Sequence, residues 1–96
     1  MPTFRVKGVA TIRARSMLFC HGDVLDGKVT VGQRVIAPEG VPAVAAVEFA
    51  LRGTPTRHEE PALGFRFASE DELTRLQRLL SVGTEVVLAA DGGVAA

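Results

Sequence analysis

Between His21 and Gly40 the chain reads HGDVLDGKVTVGQRVIAPEG, and three turn signals fall inside that one stretch: Asp26-Gly27, Gly32-Gln33 and Pro38-Glu39-Gly40. Tight turns need backbone conformations that glycine adopts freely and that Asp tolerates, whereas proline fixes its own dihedral and stops regular structure. Asp26-Gly27 sits between Val24-Leu25 and Val29/Val31. Two alternating apolar runs around such a pair predict a β-hairpin. A short strand over Arg34–Ile36 follows from the β-branched residues between the second and third turns. No helix of useful length fits between punctuation so closely spaced.

The same two-residue period extends in both directions. Phe4 and Val6 alternate with Arg5 and Lys7, the pattern of a half-buried strand. Gly8 breaks the phase before Val9 and Ile12 resume it, which predicts a bulge that bends the strand. Arg13-Ala14-Arg15-Ser16 reads as a polar connection, and Met17–Val24 as a second strand with another bend at Gly22. Val41–Leu51 is Ala-rich, but Pro42 and the pair Val47 and Phe49 around Glu48 favour strand. The stretch 52–61, RGTPTRHEEP, reads as a loop. Leu63, Phe65 and Phe67 then alternate with outward-facing Gly64 and Arg66.

Ser69 changes the period. A serine with Glu72 three residues on forms a capping box, and the acids at 70–72 suit the positive end of a helix dipole. Leu73, Leu76 and Leu80 recur at helical spacing and Gly83 supplies a stop, so the spacing predicts one helix over Glu70–Ser81. Thr84–Leu88 is the last expected strand. Six or seven short strands in a chain of 96 residues predict a mainly all-β fold, a small closed antiparallel barrel with one short C-terminal helix. Closure follows from the need to hide apolar strand edges. The domain is expected to span 1–88, with a flexible tail over 89–96.

From the order of these pieces the chain resembles the β-barrel domain that follows the GTP-binding domain in translational GTPases, with elongation factor Tu's second domain as type example. Val9-x-x-Ile12 and the run Gly22-x4-Gly27-x4-Gly32-Gln33-x-Val35-Ile36-x-Pro38 carry the likeness. The Val47-Glu48 strand, Ala62-Leu63-Gly64-Phe65 and Gly83-x-Glu85-Val86-Val87 follow in the family's order, so the likeness covers Phe4 to Leu88. It implies a closed six-stranded barrel without catalytic residues of its own, which contacts a GTPase domain, ribosomal RNA or the aminoacyl end of a charged tRNA. Ala14-Arg15-Ser16 stands where the family's Gly-Arg-Gly turn would be, and Lys7-Gly8 where an acidic pair precedes Val9. The pocket for the aminoacyl end is therefore not implied here.

Candidate chemistry is sparse. Gly22–Lys28 satisfies GxxxxGK, but Val29 replaces the Mg²⁺-binding hydroxyl and two aspartates face the phosphates, so no phosphate site is expected. Cys20 and His21 are adjacent in a strand and point to opposite faces, which precludes a thiol–imidazole pair and predicts a buried structural cysteine. His21 with Asp23, and His58-Glu59-Glu60, lack the spacing of a metal site. No cofactor, metal or catalytic constellation is expected. Charge, though zero overall, is unevenly spread: residues 1–36 hold six basic against two acidic groups, and residues 37–96 five against nine. Arg13 and Arg15 are the candidate nucleic-acid contacts, while interleaving of the two halves in a barrel would cancel the asymmetry. No Trp or Tyr is present to stack on bases. The resemblance, together with the absence of enzymatic motifs, implies a non-catalytic binding module for RNA or protein. The alternative is a self-associating assembly protein. One cysteine and no secretory or membrane-length apolar run give a cytoplasmic expectation.

Overall fold

Alternation decides which way each strand faces, and the computed structural model, which describes residues 2–51 and 59–89, follows it closely. β1 (Thr3–Ile12) and β2 (Met17–Asp26) form the longest ladder, from Thr3↔Asp26 to Ile12↔Met17. A single 3₁₀ turn, Arg13–Arg15, joins them, and Ser16 closes it in the left-handed region at φ 52°. The expected bulge is present: the register shifts between Val6 and Gly8. Gly22 lies opposite Val6, and a β-carbon there would strike the carbonyl oxygen of Arg5. The strands approach so closely at the bend that only glycine fits.

Four further strands complete one antiparallel sheet: β3 (Val35–Ala37), β4 (Ala46–Leu51), β5 (Glu59–Arg66) and β6 (Glu85–Leu88). Their order is β3-β6-β1-β2-β5-β4. The sheet curls but stays open, a correction to the expected closed barrel. The edge strands β3 and β4 share no ladder among the described residues. β3 spans three residues, and 41–45 enter β4 without strand pairing, so a stitch replaces a seam. Gly32 N–H donates to Val44 O at 2.8 Å, and Val44 N–H donates to Gln33 O at 2.9 Å.

The predicted Asp26-Gly27 hairpin is also absent. Gly27 does take a positive φ of 68°, but the chain then leaves β2, and β3 pairs with β6 instead. The apolar residue expected to start the returning strand, Val29, packs against the core from an irregular segment. Glu59–Pro61, read as loop, begin β5; residues 52–58 of that loop lie outside the described residues.

Helix α1 (Glu70–Leu79) matches its expected start and stops slightly early, with Leu80 as C-cap. Ser69 Oγ accepts from Glu72 N–H at 3.2 Å, while the Glu72 carboxylate reaches back to Ala68 N–H. Leu73, Leu76 and Leu80 enter the core formed by Phe4, Val6, Leu18, Cys20, Leu63, Phe65, Val86 and Leu88. The helix thus fills the open sheet; each such leucine contributes roughly 1.5–3 kcal/mol on burial. Ala89, expected to begin a loose tail, is buried, and its N–H donates to Arg34 O at 2.9 Å. Residues 90–96 lie outside the described residues.

Candidate interaction surface

The outer face of the sheet carries a second, smaller cluster. Met17 and Phe19 alternate with Leu18 and Cys20, so they project away from the main core, where they pack with Ala62, Ala45 and Ala46. Gly64 does face outward, as expected, but it is covered rather than solvated. A β-carbon at 64 would lie 2.6 Å from Met17 Cε and 2.7 Å from Phe19 Cε1. Two residues along β2, His21 repeats the arrangement on the other side, its ring lying over Gly8, its partner on β1.

Arg13 and Arg15, the sequence-predicted nucleic-acid contacts, are not brought together as one basic patch. Arg13 forks onto Glu70, with Nη2–Oε1 at 3.1 Å and Nε–Oε2 at 3.3 Å. That hydrogen bond, and the charge behind it, hold the exposed Glu70 carboxyl below its ordinary value and raise Arg13. Arg15 pairs with Glu48 at 3.2 Å, and its guanidinium lies 5.1 Å from the Phe19 ring centroid. The two cations of β1 are engaged as well, Arg5 with Glu85 at 3.1 Å and Lys7 with Asp23 at 3.9 Å. Three of these four carboxylates belong to the acidic half of the chain. Folding interleaves the halves, and the charge asymmetry of the sequence largely cancels across this face.

The remaining candidates fall into structural roles. Cys20 is buried, and burial pushes its thiol up from an ordinary 9.0 to about 12, so it is neither nucleophile nor ligand at neutral pH. Gly22 is inside a strand and no helix follows Lys28, so the GxxxxGK run makes no phosphate cradle. Among the described residues no cluster of His, Cys, Asp and Glu is placed to hold a metal ion. His58 lies outside them. No helix there is long and apolar enough to cross a membrane.

What the sequence reading missed sits at one end of the sheet. β1 begins there, β2 and β6 end there, and β3 starts there. The loop 27–34 crosses this end and is anchored by Gln33, a fully buried polar side chain. Its Nε2 donates to Ala89 O at 3.1 Å and Lys28 O at 3.0 Å, and its Oε1 accepts from Thr30 N–H at 2.8 Å. Around the loop, Val24, Leu25, Val31 and Ile36 are exposed, by 36%, 44%, 55% and 42%. Lys28 and Arg34 are exposed on the same loop and form no ion pair among the described residues. The available signal was the pair of cations, Lys28 and Arg34, interspersed with the aliphatics Val31 and Ile36, masked by reading Val29 and Val31 as a hairpin strand.

Comparison with known protein families, with curated proteins and with solved structures finds no match to this chain.

Proposed function

We propose that this chain is a non-catalytic binding module of the translation-factor barrel type, and that its partner is a protein. One contrast carries the reading. The cations of β1 and the following turn are engaged by carboxylates of the same chain, whereas Lys28 and Arg34 form no ion pair among the described residues and stand near exposed aliphatic side chains. Nucleic-acid binding draws on uncompensated charge and on aromatic platforms. Protein recognition draws on apolar area with a charged rim. The antiparallel six-stranded sheet and its glycine-bent first ladder support the kinship with translation-factor barrels.

Two measurements test the reading. Fluorescence titration with tRNA and ribosomal RNA fragments at about 0.15 M salt is expected to show no saturable binding. Cross-linking of the intact chain in native cell extract is expected to yield one recurrent protein partner. Saturable RNA binding, with no recurrent protein, overturns the assignment.

A second reading, self-assembly, draws on β4, which among the described residues pairs on one side only, with β5. An uncovered strand edge is a template for another copy. Light scattering at rising concentration distinguishes the two: a salt-independent monomer removes assembly.

A further inference from the structure

We infer that the sheet end formed by Leu25 and Ile36, whose side chains leave the sheet on its outer face, and by the loop 27–34 docks an acidic amphipathic helix of the partner protein. This rests on the protein-binding reading and names the partner's chemistry. β2 and β3 are separated in the sheet by β1 and β6, three strand intervals of about 4.8 Å each. The exposed aliphatics therefore span on the order of 14 Å, with Val31 on the loop between them, which matches two to three turns of helix. Apolar side chains in this position do nothing for the core, whose inward positions are already filled by Phe4, Val86 and Leu88.

Charge selects the occupant. Lys28 and Arg34 bracket Val31 in the chain and outnumber the one acid on this loop's border, Asp26. Glu39 follows β3 at its far end, beyond Ala37. The end therefore presents apolar surface under a positive field, complementary to a helix with leucines on one face and glutamates flanking it. The loop is also rigidly held. The three side-chain hydrogen bonds of Gln33 and the stitch to Val44 fix it before any partner arrives, which lowers the ordering cost of binding.

The test titrates the full ¹⁵N-labelled chain with a synthetic peptide of about 18 residues, carrying Leu at i, i+3, i+4 and i+7 and Glu on both flanks. Amide shifts confined to residues 24–36 and their strand neighbours are expected, with a scrambled peptide of equal composition inert. Lys28→Glu with Arg34→Glu, both exposed and checked for folding by circular dichroism, should weaken binding at least about tenfold. A peptide with Lys in place of Glu should bind that double variant in preference to the unaltered chain. Val31→Ser with Ile36→Ser should weaken both peptides. Equal binding of the scrambled peptide, shifts elsewhere on the sheet, or indifference to either pair of substitutions overturns the proposal. So does tighter binding to vesicles containing phosphatidylserine, or self-association abolished by the same substitutions. If the cross-linked protein partner attaches outside residues 24–36, this site falls and the binding-module reading stands; if no protein is captured either, both fall.

Discussion

The ring of Phe19 lies over Gly64, its cross-strand partner, and occupies the space that a side chain at 64 would need. Gly64→Ala places a methyl against Phe19 and Met17 and is expected to destabilise the fold by about 1–3 kcal/mol, read as a lower urea midpoint with unchanged slope. Combining it with Phe19→Leu should give less than the sum of the two effects, because the second change removes one of the two obstacles to the first.

Gly22→Ala is expected to cost more than Gly64→Ala. The obstacle at 22 is a carbonyl oxygen of the β1 backbone, not the end of a flexible side chain. Relief requires the Val6–Gly8 bulge to shift, and with it the register that keeps Phe4 and Val6 inward. The measurement is the same denaturation series, and a milder effect at 22 than at 64 contradicts the account.

The expected barrel and the observed sheet part at identifiable residues. Strand faces were legible because burial imposes a period of two, and Leu63, Phe65, Leu18 and Cys20 obey it. The helix was legible because Ser69 and Glu72 state its start. The hairpin was misread because Asp26-Gly27 specifies a turn but not which strand comes next. Long-range competition decided that, with β6 taking β3. The outward direction of Gly64 was legible, but its cover was not, because that depends on Phe19, a residue distant in sequence. Arg13 and Arg15 were visible as cations, while their neutralisation by Glu70 and Glu48 required the fold to bring them together.

The Arg13–Glu70 pair sets a pH dependence. Glu70 is held below its ordinary value in the folded state, so its contribution to stability is fully present above the unfolded glutamate pKa, about 4.3, and is lost as pH falls through the lower folded value. Arg13→Gln should flatten the acid limb of the stability profile without altering stability under alkaline conditions beyond the loss of the pair itself. Thermal unfolding between about pH 3 and 7 checks it, and an unchanged acid limb counts against the pair.

Cys20 shifts the opposite way. Its folded pKa is raised to about 12, so the thiol supports stability fully below the unfolded value near 9.0 and progressively less as pH rises from there towards 12. At pH 8 a thiol reagent should label the native chain only at the rate of its unfolding, and label it at once in denaturant. Rapid stoichiometric labelling of the folded chain contradicts the burial argument.

Gln33→Leu keeps the volume but orphans the buried Ala89 O, at a cost of about 1–3 kcal/mol, and frees the part-buried Thr30 N–H and Lys28 O to water. Hydrogen exchange should quicken across residues 28–34 and at the end of β6 first, with the β1–β2 ladder protected longer. Uniform loss of protection across the sheet would assign Gln33 a global rather than a local role.

The last strand of the described residues is not at the margin of the sheet. β6 lies between β3 and β1, and Val86 and Leu88 are core residues. A nascent chain that has made β1 to β5 but not β6 still has nothing for β3 to lean on and an uncovered flank on β1. Productive folding waits until the segment ending at Leu88 clears the ribosome tunnel, and products of premature termination would display the apolar interior to every chaperone and protease nearby.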